Sequence, residues 1–206
     1  CRVADDVKLA AKAGADSIVV DGMVAGTGAS AEVLLDHSGI PTVPSIVMAR
    51  EALREIGLYR KVSLVASGGI RSGADVAKAL ALGADAVAIG IAALIALNCN
   101  REIPQSNFEE EIGVAAGQCH HCHTGKCPVG IATQDSELVK RLDVDEGAER
   151  VANFINSMTM ELALLTRSLG KSDVHSLEPE DLAALTIEAS AMAQIPLAGT
   201  DKVFGQ

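Results

Sequence analysis

The sequence predicts an α/β fold built on a parallel sheet, because short apolar strands alternate with helical patterns along the first half of the chain. Residues 17–20, 62–66 and 86–89 are apolar runs typical of buried strands. The segment before a strand occurs twice in nearly the same form, as Ala-Gly-Ala-Asp at 13–16 and Leu-Gly-Ala-Asp at 82–85. Such alternation favours parallel pairing, and the recurring segment indicates a repeated βα unit.

The helices are predicted from apolar residues at helical spacing and from signals at the helix ends. Ser72 is predicted to cap one helix, with Asp75 at its third position. Glycine follows several of the patterns, where it commonly ends a helix. The predicted helices cover residues 3–13, 45–56, 73–82, 144–169 and 179–194, and residues 99–135 are predicted to form an irregular loop.

Composition excludes several classes of protein. Of the 206 residues, 49% are hydrophobic and only 2% aromatic, which predicts an aliphatic core of helices packed on a sheet. The formal net charge of -10 argues against a surface for nucleic acid or anionic membranes. No apolar run approaches the roughly 20 residues that a membrane span needs. The chain starts at Cys1 within a helical pattern, so we expect a piece of a longer protein.

Glycine follows the second and third predicted strands, where a helix begins. Ser67, Gly68 and Gly69 follow one strand, and Gly90 and Ile91 follow the next. Backbone N–H groups and a helix N-terminus at such a place favour an anion, and barrel enzymes commonly bind phosphate after their last two strands. The alternative is that these glycines serve only the geometry of tight turns, and the pattern favours neither interpretation.

A loop of small residues follows the first predicted strand. It contains Asp21, Gly22, Gly26, Thr27 and Gly28. Small residues let the main chain approach a ligand at the carboxyl end of a strand. A flexible lid would have the same composition, so this loop alone does not define a site.

Four cysteines are candidate metal ligands. Cys119, Cys122 and Cys127 fall within nine residues, and Cys99 lies upstream. Closely spaced cysteines followed by Pro128 suit an iron–sulfur cluster, and Cys-x-x-Cys with nearby histidines also suits zinc. Cys-x-x-Cys-His further matches covalent haem attachment, which requires export. Nothing else in the sequence indicates export, so we expect a cytoplasmic location.

Together these segments resemble the FMN-binding, synthase domain of the glutamate synthases, over almost the whole chain. The resemblance rests on residues 26–30, 67–76, 79–85 and 122–134. It implies the C-terminal portion of a (β/α)8 barrel, with about strands six to eight in residues 1–98. An iron–sulfur loop in 99–135 and a helical segment in 136–206 would follow.

The resemblance also implies which residues would bind FMN. Ser67, Gly68, Gly69, Gly90 and Ile91 would hold its phosphate, although members of the family often have Thr where this chain has Ile91. The loop from Asp21, with Gly22, Gly26, Thr27 and Gly28, would face the flavin and a 2-oxo acid.

Members of this family usually hold a three-iron cluster on three cysteines. Cys122 and Cys127 match the second and third, and Cys99 corresponds to the first. Cys119 is additional, so the four thiols would suit either a 3Fe-4S or a 4Fe-4S cluster, and the resemblance leaves both open.

The reaction implied is the reduction by FMN of the imine formed from 2-oxoglutarate and ammonia, which gives glutamate, with electrons arriving through the cluster. A glutamine amidotransferase domain or subunit and an NADPH- or ferredoxin-linked donor would be partners. No side chain is identified as the catalytic acid.

One alternative is the FMN subunit of an N-methylglutamate synthase, which acts on a methylamine-derived substrate. An alternative of another class is a zinc-stabilised barrel that binds a phosphorylated metabolite without redox activity.

Overall fold

A computed structural model describes residues 2–26, 30–99, 101, 109–110, 113, 119 and 121–205 of the chain. Four of the five predicted helices and all three predicted strands are present within a few residues of their expected bounds. A helix also begins after Gly90, as expected, and a helix at Glu32–His37 and several short 3-10 turns are additional. The described elements are α1 (Val3–Lys12), β1 (Ser17–Asp21), α2 (Glu32–His37), α3 (Thr42–Glu55), β2 (Ser63–Ser67), α4 (Gly73–Ala81), β3 (Ala86–Ala88), α5 (Ile91–Ala96), α6 (Val144–Ser168) and α7 (Ile187–Ala193). Among the described residues, no helix is both long enough and apolar enough to cross a membrane.

The three strands form one parallel sheet in the order β1-β2-β3. Ser17 pairs with Ser63 at the start of the first ladder, and Asp21 pairs with Ser67 at its end. Val65 pairs with Ala86 in the second ladder. The predicted α/β class with a parallel sheet is therefore confirmed.

One face of the sheet is covered by helices. Helix α3 packs against β1 and β2, α1 against β1 and α3, and α4 against β3. Ile46 and Leu53 of α3 and Leu64 and Ala66 of β2 are at most 1% exposed. Burying such aliphatic side chains stabilises a fold by about 1.5 to 3 kcal/mol each, so this contact forms the core.

The residues that alternate with this buried set point to the other face of the sheet. Most of these residues are exposed, namely Ser17, Val19, Asp21, Ser63, Ala86 and Ala88, and Val65 and Ser67 are half-buried. Val19 is a large aliphatic residue, yet it is 59% exposed. The sheet therefore has a helix-covered face and an open face.

The chain divides into two compact units. The first contains residues 1–25, 37–89 and 158–206 and includes the sheet. The second contains residues 26–36 and 90–157 and includes the four cysteines that are candidate metal ligands. The expected segments 1–98, 99–135 and 136–206 stay a prediction.

The helix predicted over residues 179–194 is wrong in its first half. Pro179–Asp181 forms only a 3-10 turn, in which the Glu178 and Asp181 side chains accept each other's backbone N–H. The chain is then extended, and Ala184 forms a parallel bridge with Leu197. Helix α7 begins at Ile187, where the Thr186 hydroxyl accepts the Ala189 N–H at 3.1 Å.

Candidate functional site

The loops that follow β1 and β2 lie side by side in the first unit, because parallel strands end at the same edge of a sheet. The Gly22 N–H donates to the Ser67 carbonyl at 3.0 Å. A Cβ at Gly22 would lie 2.1 Å from Oγ1 of Thr42. This contact requires glycine and brings Asp21, Gly22 and Ser67 together at the carboxyl ends of β1 and β2.

Gly68 and Gly69 form the tight turn after β2. Their φ angles are +105° and +74°, a left-handed backbone that favours glycine. A Cβ at Gly68 would lie 2.8 Å from Oγ1 of Thr42 and 3.0 Å from Cβ of Ala25. A Cβ at Gly69 would lie 3.1 Å from Cγ2 of Val24. The turn geometry thus requires both glycines whether or not a ligand binds there.

Thr42 is a residue of this site that sequence reasoning missed. It is the first residue of α3, is 8% exposed, and its hydroxyl donates to the Gly68 carbonyl at 3.0 Å. The preceding Pro41 is the N-cap of α3, and the apolar pattern of 45–56 placed the helix start three residues late. Thr42 therefore positions the turn from the neighbouring helix.

The N-terminus of α4 is already occupied by side chains of the protein. The Ser72 hydroxyl accepts the Asp75 N–H at 3.3 Å, and the Asp75 carboxylate accepts the Arg71 N–H at 3.1 Å. The Glu161 carboxylate accepts the Gly73 N–H at 2.7 Å. Within the part of the chain that the structure describes, the N–H groups of Gly69 and Ile70 donate no hydrogen bond. An anion at this turn would therefore contact these upstream donors.

The remaining predicted FMN contacts belong to the second unit or are not described. Gly90 precedes α5, and its carbonyl accepts the Leu94 N–H at 3.1 Å. A Cβ at Gly90 would meet open space, and Ile91 is 53% exposed. Gly26 also belongs to this unit, whereas Thr27 and Gly28 lie outside the described residues.

The four candidate cysteines line one cavity in the second unit. The cavity has a volume of about 60 Å³, and its other lining includes Leu94, His121, Pro128, Val129, Ile131 and Ala132. Cys127 is buried with Val129, and Cys99 and Cys119 pack against this pair. Cys122 is exposed at the start of a 3-10 turn that ends at Gly125, whose φ is +72°. The fold therefore gathers cysteines that are up to 28 positions apart in the chain.

The thiols are close enough to affect one another's ionisation. Burial is the main cause that raises the pKa of Cys99, followed by charge repulsion from Cys122, Cys127 and Cys119. Burial also raises the pKa of Cys122, with repulsion from Cys119 and Cys127 adding to it. Thiolates crowded in this way favour a bound cation that neutralises them.

The cavity is wider than a single ion needs. A water molecule requires roughly 15 Å³ measured in this way, so about 60 Å³ has room for several atoms. A zinc ion instead draws its sulfur ligands to about 2.3 Å from one point. Among the described residues, no group of three or more His, Cys, Asp or Glu side chains converges to hold one metal ion. The volume therefore leaves room for a group larger than one ion.

Residues 1–172 match a family model described as a conserved region in glutamate synthase. The chain belongs to the glutamate synthase family. This finding confirms the resemblance that the glycine and cysteine segments indicated.

Individual relatives of the glutamate synthase family support the assignment. A glutamate synthase large subunit-like protein of Rhizobium meliloti (strain 1021) is 55% identical over 198 residues, which are 95% of this chain and 44% of that protein. An archaeal glutamate synthase (NADPH) of Methanocaldococcus jannaschii is 47% identical over 79% of this chain and 29% of its own. The glutamate synthase large subunit-like protein YerD of Bacillus subtilis is 34% identical over 78% of this chain and 27% of its own. The chain thus spans less than half the length of each of these relatives.

Proposed function

We propose that the chain is the C-terminal part of the FMN-binding (β/α)8 barrel of a glutamate synthase-type oxidoreductase. Its three strands are parallel and consecutive in the sheet, whereas strand order reverses in a doubly wound sheet. Helices cover one face, and Val19 on the other face is 59% exposed. One outer layer of helices and an inner face completed by further strands are typical of a barrel wall. On this proposal the barrel part is residues 1–98, the cluster loop 99–135 and the C-terminal helical segment 136–206.

The proposed phosphate site of FMN is the turn after β2 with the residues that follow β3. Ser67, Gly68 and Gly69 would surround the phosphate, with Gly90 and Ile91 contributing from the next strand exit. The N–H groups of Gly69 and Ile70 support this proposal, because they have no acceptor among the described residues. Backbone donors of this kind are ready-made partners for phosphate oxygens.

The loop after β1 would face the flavin and the 2-oxo acid. Asp21 and Gly22 lie at the same sheet edge as Ser67, which supports a role beside the phosphate site. Gly26, Thr27 and Gly28 would continue this wall. The small residues of the loop would let its main chain approach the ring system.

The observation that carries the proposal is the cavity that four cysteines line in a chain of this family. We propose that Cys99, Cys119, Cys122 and Cys127 hold an iron–sulfur cluster there, as thiolates do in proteins of this kind. Leu94, Val129 and Ile131 would exclude water from the cluster on its apolar side.

The overall reaction would convert 2-oxoglutarate and ammonia to glutamate. When bound, reduced FMN supplies hydride to the imine carbon, and the cluster supplies electrons to the flavin. A glutamine amidotransferase domain or subunit would provide ammonia, and an NADPH- or ferredoxin-linked donor would provide electrons. The names of the relatives favour ammonia over a methylamine-derived substrate, and they favour a redox enzyme over a zinc-stabilised binding barrel.

The test uses the full-length protein, purified without oxygen. We expect FMN released by acid, iron with acid-labile sulfide, and glutamate formed from 2-oxoglutarate and ammonia with a chemical reductant. Methylamine in place of ammonia is the matched substrate control. Absence of both flavin and iron, or one zinc per chain in their place, would overturn the proposal.

A further inference from the structure

The cysteine cavity has one thiol more than a three-thiolate site needs, and this additional thiol is Cys119. Cys99, Cys122 and Cys127 already supply three thiols. We propose that Cys119 is a fourth ligand and that the cavity holds a four-iron, four-sulfide cluster. This inference rests on the proposed function, because it concerns the cluster of that same site.

Cys119 is half-buried and lines the shared cavity. Its side chain lines the same space as the other three thiols, together with His121. Like Cys99, it also packs against the buried pair of Cys127 and Val129. All four thiols therefore line the same cavity, although Cys127 is buried and Cys122 is exposed.

The local backbone directs a hydrogen-bond donor at the sulfur of Cys119. The His121 N–H donates to Sγ of Cys119 at 3.4 Å, a hydrogen bond across two residues. Hydrogen bonds to ligand sulfurs are among the features that set the reduction potential of an iron–sulfur cluster. A cysteine that merely filled apolar space would not require a donor directed at its sulfur.

The number of irons in the cluster determines how many cysteine ligands it takes. A four-iron cluster has one thiolate on each iron, so four cysteines satisfy it completely. With three thiolates, one corner of the cluster has no protein ligand. Here a fourth thiol lines the same cavity, and a four-iron cluster is the simplest one in which every cysteine sulfur is a ligand.

The experiment measures the cluster itself in the anaerobically purified full-length protein. We expect iron and sulfide near four per chain, no electron paramagnetic resonance (EPR) signal in the oxidised state, and a signal after one-electron reduction. Cys119→Ser should lose about one iron per chain and gain a signal in the oxidised state, as a three-iron cluster does. His121→Ala is the matched control, because it alters the cavity wall but keeps all four thiols and the backbone donor.

Three outcomes would overturn the inference. The first is a wild-type protein with three irons and an oxidised-state signal, unchanged in Cys119→Ser. The second is a two-iron cluster, and the third is a His121→Ala variant that changes in the same way as Cys119→Ser. Mössbauer spectra of the wild-type protein give the iron count even where a variant fails to fold. A protein with neither flavin nor iron would instead overturn the proposed function, which separates the two failures.

Discussion

The carboxylate of Glu161 in helix α6 accepts a hydrogen bond at 2.7 Å from the backbone N–H of Gly73, the first residue of helix α4. The two helices approach closely there, because a Cβ at Gly73 would lie 2.3 Å from the Met158 carbonyl. The first N–H groups of a helix have no partner within it, so a carboxylate from another helix is a stabilising cap. The contact holds the start of α4, which follows the turn of Gly68 and Gly69, to α6.

Glu161→Ala should lower the free energy of unfolding by about 1 kcal/mol, the usual cost of removing a helix cap. Urea unfolding of the full-length protein measures this change. Glu161→Gln keeps an acceptor oxygen and should lose less. Glu149→Ala, at an exposed position of the same helix, is the control and should have almost no effect. Equal stability of all three variants would show that the contact contributes nothing.

The two caps of α4 illustrate what the sequence could and could not predict. Ser72 lies three residues before Asp75, and this local spacing correctly predicts the capping hydrogen bond. Glu161 is 88 positions from its partner, and no local pattern links the two. Thr42 is similar, because its bond to Gly68 depends on how α3 packs against the strand ends. Contacts between distant segments depend on packing, which composition and periodicity do not specify.

The error over residues 179–194 has a related cause. Glu178, Pro179 and Asp181 carry true signals of a helix start, and they do form a turn with a capping box. The turn does not continue, because the following segment bridges Ala184 to Leu197. Three of the four cysteines that line the cavity are close in sequence and can be grouped by spacing, whereas Cys99 joins them only through the resemblance to the family. Their role as cluster ligands stays a prediction.

Gly69→Val should reduce the FMN content of the full-length protein. Valine is strained at a φ of +74°, by about 1 to 2 kcal/mol, and its Cβ would lie 3.1 Å from Cγ2 of Val24. The turn would shift, and its N–H groups would no longer be oriented toward a phosphate. FMN released by acid, per chain, measures the effect.

Gly57→Val is the matched control for Gly69→Val. Gly57 has a φ of +70°, and a Cβ there would meet nothing within 4 Å. The backbone strain is therefore similar, but the turn after β2 is untouched. We expect Gly57→Val to lose stability and keep FMN. Loss of FMN in both variants, or in neither, would argue against a phosphate site at Gly69.

Thr42→Val should loosen the same turn from the side of α3. The substitution preserves the shape of a buried side chain and removes the hydroxyl that donates to the Gly68 carbonyl at 3.0 Å. Losing a hydrogen bond to this half-buried carbonyl costs about 0.5 to 1.5 kcal/mol. We expect lower stability to urea and faster FMN dissociation in a fluorescence assay. Thr42→Ser retains the hydroxyl and should restore both properties; a serine variant no better than valine would show that the methyl group matters instead.

The ion pair of Lys171 and Asp181 should make stability depend on pH. The hydrogen bond from Lys171 is the main cause that lowers the pKa of Asp181, and the same bond raises the pKa of Lys171. The folded state therefore binds the carboxyl proton of Asp181 more weakly than the unfolded state. The ionised Asp181 consequently stabilises the fold above the ordinary carboxyl pKa of about 3.9. This stabilisation is lost as the pH falls through the lower pKa of the folded state. The lysine contribution is present below its ordinary pKa of about 10.4 and is lost as the pH rises through the higher, folded value.

Asp181→Asn should consequently unfold at lower urea concentration than the wild-type protein at pH 7. The difference should shrink as the pH falls below the ordinary carboxyl pKa of about 3.9 and through the lower, folded value, because the wild-type carboxylate then becomes protonated. Glu180→Gln, at an exposed position of the same turn, is the control and should match the wild-type protein throughout. A difference between Asp181→Asn and wild type that stays constant from pH 7 to acid would mean that lost packing, and not the ion pair, causes the destabilisation.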